Sequence, residues 1–168
     1  YLWFLLTFAI VMAVYLLTLC PTIYLEDSAE YATVAFTLGI SHPPGYPLYA
    51  LLGKLFTFIP FGSIAWRVNL MSAFFGALTC AFLFFIIQKI FVFPKTPKNP
   101  KTLMAPASER ETTKDLILYY LLPFSSALIF AFTQIFWSQS VVAEVYTLNT
   151  FFVAVIVWLL LVWAEKIQ

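Results

Sequence analysis

The sequence predicts an all-α polytopic membrane protein with four spanning helices, on three observations. Of its 168 residues 62% are apolar and only 10% charged, against about 45–50% and about 25% in soluble domains. Mean hydropathy is +0.92 and 20% of the residues are aromatic, which is more apolar surface than a domain of this size can bury. Uncharged runs of about twenty residues, the length that crosses a hydrocarbon layer, recur along the chain. A net charge of +1, with no strip in which basic and aromatic residues alternate, excludes nucleic acid as a partner.

Residues 1–20 carry no charge and form the first expected span. A secretory signal peptide is the alternative, but the run lacks a basic start and a small-x-small cleavage site. The chain opens at Tyr1 without methionine and stops at Gln168 behind an apolar run, so a fragment of a longer protein is expected. Residues 21–67 then make a connection far longer than the usual 4–6 or so. Asp27 to Glu30 precede Tyr31, Val34, Ala35 and Leu38 at helical spacing, with Gly39 as a natural C′ residue, which predicts a short helix over about 27–38. A second helix is expected over about 47–58, closed by Pro60 and Gly62, and both are expected to lie along the membrane surface. Residues 68–88 form the second span. The apolar stretch after residue 116 is too long for one helix, and the polar group Gln134, Trp137, Ser138, Gln139 and Ser140 divides it into spans over 116–136 and 145–163, joined by a hairpin over 137–144. Trp137, Trp158 and Trp163 are expected as interfacial anchors. Cys20 and Cys80 lie in apolar runs and read as small buried hydrophobes, not as a disulfide or zinc pair.

Sidedness follows from the cations. Six of the nine lysines and arginines fall between Lys89 and Lys114 in a proline-rich stretch without apolar periodicity. The positive-inside rule makes residues 89–115 a flexible cytoplasmic loop and puts 21–67 and 137–144 on the periplasmic or lumenal side.

The candidate functional residues all fall on that far side. Asp27 and Glu30 are three apart, which suits a capping box with Asp27 as N-cap, and equally projects two carboxylates from one helix face beside a bilayer, where desolvation raises a carboxylate toward a useful base. His42, the only histidine, precedes two prolines that hold it extended, as a ligand-facing ring or as a packed loop residue. Arg67 is placed either to grip a phosphate in bidentate fashion or to snorkel to the headgroups. Glu144 interrupts a charge-free stretch, which makes it either functional, in one cavity with Tyr146 and Asn149, or a glutamate in interfacial water. The acidic residues and one histidine show no metal-ligand spacing, and no resident cofactor is expected.

The strings Pro-Thr-Ile-Tyr-Leu-Glu-Asp-Ser-Ala-Glu from Pro21, Thr-Leu-Gly-Ile-Ser-His-Pro-Pro-Gly-Tyr-Pro-Leu-Tyr from Thr37, Trp-Arg-Val-Asn-Leu-Met-Ser-Ala from Trp66 and Trp-Ser-Gln-Ser-Val-Val-Ala-Glu-Val-Tyr-Thr-Leu-Asn from Trp137 resemble a family of multi-pass membrane proteins. This family was long catalogued as a domain of unknown function, and its animal member is a protein O-mannosyltransferase acting on plexin-type receptors. The resemblance implies the N-terminal part of a GT-C-type transmembrane bundle. It further implies a polyprenyl-phosphate sugar as donor, a protein hydroxyl as acceptor, Asp27 as catalytic base assisted by Glu30, and Arg67 at the leaving phosphate. His42 and Tyr46 would shape the cleft. A divalent metal is used by some members of the wider fold. Two other classes compete. A lipid-linked-sugar transporter or flippase predicts paired broken spans, and a non-catalytic membrane scaffold predicts tolerance of substitution at Asp27, Glu30 and His42.

Overall fold

The computed structural model describes residues 1–25, 27–92 and 117–167, with the side chain of Val92 left out. Glu26 and most of the basic stretch expected as the cytoplasmic loop lie outside the described residues. Within them are seven α-helices and no strand: α1 (Leu2–Leu17), α2 (Ser28–Thr37), α3 (Pro47–Thr57), α4 (Ile64–Val92), α5 (Leu122–Ala131), α6 (Gln134–Ser140) and α7 (Tyr146–Ile167). A π-helical turn, Ile117–Leu121, leads into α5.

The bundle is organised around α4, against which all six other helices pack. This helix starts four residues ahead of the predicted span because Ser63 caps it, its Oγ accepting the Trp66 N–H at 3.1 Å. At 29 residues it is about 43 Å long, more than the roughly 30 Å of a hydrocarbon core. Val68, Met71, Ala73, Ala77 and Cys80 along it are fully buried. Gly76 lets α6 approach, since a Cβ there would stand 2.7 Å from the Ser140 Oγ. Among the described residues two helices, α4 and α7, are long and apolar enough to span a membrane, and a third span results if α5 and α6 count as one. The first expected span is shorter than foreseen: α1 has 16 residues, about 24 Å.

The third expected span is broken. The axes of α5 and α6 diverge by 69°, and the predicted hairpin is helical as far as Ser140. Partners for the backbone freed at the break explain why it persists. The Tyr15 hydroxyl, fully buried, donates to the Ala131 carbonyl at 2.8 Å, and the Thr133 hydroxyl donates to the Phe130 carbonyl at 2.8 Å, so freed carbonyls are met where lipid offers nothing. Upstream, Pro123 has no N–H to give to the helical ladder, and the turn preceding it is widened into the π form. The Trp137 indole donates to the Thr18 hydroxyl at 3.0 Å, tying α6 to the end of α1. Trp158 packs on Phe82 and Phe85 of α4, with centroids 5.5 and 6.3 Å apart. Both cysteines are free.

Candidate functional site

Helices α2 and α3 form a compact pair on the end of α4 from which the chain enters it. They cross closely because residue 53 is glycine, and a Cβ there would stand 2.6 Å from the Ala35 Cβ. Below them Tyr31, Ala35, Tyr49, Val68, Met71 and Phe75 join Ala143 and Leu148 in one buried cluster. The approach to α2 is fixed from two sides. The Asn69 amide donates to the Cys20 and Thr22 carbonyls at 2.8 and 3.0 Å, and Ser28 both accepts from the Tyr24 N–H and donates to its carbonyl. Asp27 is the residue before α2, yet its side chain makes no capping bond. The helix ends with Leu38 in the left-handed conformation at φ 56°, one residue ahead of the glycine expected there, and Gly39 N–H reaches back to the Val34 carbonyl.

Freed from a capping box, Glu30 turns to His42. One carboxylate oxygen accepts the His42 backbone N–H and the other lies 3.0 Å from Nδ1. A carboxylate only accepts, so Nδ1 carries the proton and Nε2 is the free face of the ring. Nε2 lies 4.0 Å from Asp27 Oδ2. The loop does not run extended through its prolines. It reverses in a turn that Gly45 N–H closes on the His42 carbonyl at 2.9 Å, across a cis Pro43–Pro44 bond, and the reversal delivers the ring to α2. Tyr46 follows at φ 38°, a conformation uncommon for a residue with a side chain. Its ring meets His42 and Tyr31 edge-on at 6.0 and 5.9 Å. Tyr31, buried, stands 5.9 Å from the imidazole and 5.1 Å from Tyr49.

The charges follow this geometry. The bond from His42 holds Glu30 below the ordinary carboxylate range, and the bond to Glu30 raises His42. Burial pushes Tyr31 upward, reinforced by Tyr46, Glu144, Asp27 and Glu30. Glu144 is only 4% exposed, so it is no glutamate in interfacial water. Its backbone is pinned by Ser72, which exchanges hydrogen bonds with Glu144 N–H and C=O at 3.3 Å, and its charge is felt by His42, Tyr31 and Tyr49.

Asp27, Glu30 and His42 thus converge with Glu144 behind them. Tyr46, Tyr146 and Asn149 line a neighbouring groove of about 440 Å³ between α3 and α7. Arg67 is not part of this cluster: its Nε and Nη1 donate to the Phe61 and Thr57 carbonyls at 3.0 and 2.7 Å, serving the exposed end of α3. Sequence reasoning missed two residues, Tyr31 as the wall behind the imidazole and Ser72 as the anchor of Glu144. Tyr31 shares the apolar spacing of α2 and reads as core, and Ser72 carries no local signal. It also saw no metal spacing, whereas one donor atom from each of Asp27, Glu30 and His42 lies within 4.8 Å of the others. Nδ1 is engaged with Glu30 at 3.0 Å, and Nε2 lies 4.0 Å from Asp27 Oδ2.

Helices that present a half-exposed carboxylate–imidazole cluster at one end of an apolar bundle define a membrane protein with a polar site at the bundle's rim. Residues 27–168 match the model of the protein O-mannosyl-transferase TMEM260 N-terminal domain, and the chain belongs to that family. It is similar to the protein O-mannosyl-transferase TMEM260 of Mus musculus, 36% identical over 150 residues, 89% of this chain and 18% of that protein. The Dictyostelium discoideum protein O-mannosyl-transferase tmem260 is 26% identical over 158 residues, 92% of this chain and 16% of that one. The chain thus spans under a fifth of the length of these curated relatives. No solved structure matches it.

Proposed function

We propose that this chain supplies the catalytic rim of a GT-C-type inverting glycosyltransferase. It moves mannose or another hexose from a polyprenyl-phosphate donor to a Ser or Thr hydroxyl of a polypeptide, on the periplasmic or lumenal side of the membrane. The names of the relatives support the reaction class. The observation that carries the site is Asp27, 53% exposed at its side chain, making no capping bond and held beside an imidazole whose orientation Glu30 fixes. In this reading the Asp27 carboxylate takes the proton of the acceptor hydroxyl as its oxygen bonds to C1 of the sugar. The C1–O bond to phosphate breaks on the opposite face, and the polyprenyl phosphate leaves with the electron pair. Glu30 is a positioning residue for His42, and His42 with Tyr46 walls the cleft. Arg67 shapes the loop through carbonyls it already holds, and the leaving phosphate is assigned to no side chain here. No metal step is required of these residues.

A transporter or flippase would show broken spans in pairs. Among the described residues one pair is bent, α5 with α6, and it has no counterpart. The reading is tested by incubating full-chain membranes with labelled polyprenyl-phosphate mannose and a Ser/Thr peptide. Labelled peptide of inverted anomeric configuration is expected. Carrier binding without transfer to any hydroxyl acceptor contradicts it.

A further inference from the structure

The His42 ring is held from several directions. Nδ1 donates to Glu30 at 3.0 Å, and the Tyr31 and Tyr46 rings stand 5.9 and 6.0 Å away, centroid to centroid. Nε2 stays open, on a side chain still 41% exposed. An anion on Nδ1 and a bare Nε2 form the arrangement in which an imidazole takes up a proton at one nitrogen while the other is steadied. The group facing Nε2 is the Asp27 carboxylate, with Oδ2 4.0 Å away. That gap is too long for a hydrogen bond. It closes by a turn of the Asp27 side chain, which no capping bond restrains, or through one bridging water. The gap also fixes the side on which His42 acts. Groups that work on opposite faces of a sugar in an inverting displacement stand about 6.5–9.5 Å apart, so a ring 4.0 Å from Asp27 serves the acceptor side with it and not the leaving phosphate.

We propose that His42 is the proton acceptor behind Asp27, taking onto Nε2 the proton that Asp27 removes from the acceptor hydroxyl. The inference rests on the transfer reading above. The acceptor O–H bond breaks as its oxygen bonds to C1, and the hydrogen passes to Asp27 Oδ2. The new Asp27 O–H bond then breaks as Nε2 takes that hydrogen, and the exposed imidazolium releases it to water. The electron pair of the C1–O bond leaves with the polyprenyl phosphate, so charge balances. An imidazole ordinarily holds a proton more tightly than a carboxylate by about 2 pH units, which makes the second transfer downhill and returns Asp27 to its anionic form for the next acceptor. The surroundings strengthen that pull. Asp27, Glu30 and Tyr31 face the ring from the start of α2 and Tyr46 from the turn ahead of α3, while Glu144 acts from the segment ahead of α7. The carboxylates raise His42, Glu30 most of all. The bond to Glu30 survives in the neutral ring, since Nδ1 keeps its hydrogen, so the ring stays aimed in both states.

The test is single-turnover transfer from labelled polyprenyl-phosphate mannose to a Ser/Thr peptide, followed against pH, by the full chain in lipid nanodiscs. A neutral Nε2 is required, so the wild-type rate should climb with pH through a midpoint above the ordinary 6.5 of histidine. Glu30→Gln removes the strongest upward pull on the ring and should move that midpoint to lower pH, a shift that a merely structural ring does not produce. His42→Ala should cut the plateau rate about a hundredfold. Added imidazole should restore part of it, while pyrazole, of the same size but far less basic, should not. Equal rescue by the two rings, or none by imidazole, makes His42 a wall of the cleft and overturns the proposal, as does a midpoint that stays in place in Glu30→Gln. Should His42→Ala fail to fold, the Glu30→Gln midpoint alone decides. Absence of transfer by wild type overturns the transfer reading and this proposal with it, whereas wild-type transfer with an unmoved midpoint overturns the proposal alone.

Discussion

Asp27 and Glu30 fit a capping box by spacing, and the structure gives neither residue that duty. Glu30 instead spends both oxygens on His42, a partner twelve positions on. Local pattern suggested the pair of carboxylates, but only the chain reversal at 42–45 decides what they do. The His42–Glu30 contact also sets a pH dependence. Glu30 is depressed, so its contribution is complete above its ordinary 4.5 and is lost as pH falls through the lowered value. His42 is raised, so its contribution is complete below its ordinary 6.5 and is lost as pH rises through the raised value. Docking of the loop over 41–47 onto α2 is therefore firmest between those two values. Hydrogen exchange across the loop should show slowest opening in that window, and Glu30→Gln should flatten the profile. Arg67 belongs to the same scale. Because its guanidinium holds two carbonyls, Arg67→Lys should lower stability by about 1 kcal/mol with kcat for transfer unchanged. A fall in kcat at unchanged stability would return Arg67 to the leaving phosphate.

At the level of helices, the two short helices α2 and α3 and the two long apolar ones were legible, since periodicity, Gly39, Pro47 and charge-free length are local features. The break between α5 and α6 was legible only as a polar interval. Its position depends on Tyr15, 116 residues away from the carbonyl it satisfies, and no window of sequence holds both. Tyr15→Phe should leave the Ala131 carbonyl buried and unmet, and lower stability by about 1–2 kcal/mol, read as a shift in thermal unfolding in nanodiscs. The α2–α3 crossing gives a second measurement of the same kind. An alanine is ordinarily worth about 1 kcal/mol over glycine inside a helix. At residue 53 its Cβ would meet Ala35 at 2.6 Å, so Gly53→Ala should destabilise by about 1–3 kcal/mol and loosen the cluster that Tyr31 and His42 share. A gain in stability would mean that the two helices separate at little cost.

Across the whole molecule, an apolar bundle supports a small polar rim, and residues distant in sequence, from Asp27 to Glu144, reach it from α2, the loop after it and the segment before α7. Composition announced the bundle, and the unusually long connection over 21–67 announced the rim. The partners of Glu144 and the neighbouring groove come from the way α4 gathers the other helices around itself, and sequence periodicity carries no record of that. The central claim is that the Asp27 carboxylate acts as the base for sugar transfer, with Glu30 acting only through His42. Its most direct test is single-turnover transfer of labelled mannose by wild type, Asp27→Asn and Glu30→Gln, each shown to be folded. The account predicts no measurable transfer for Asp27→Asn and a partial loss with an altered pH profile for Glu30→Gln. Transfer by Asp27→Asn at the wild-type rate would contradict it.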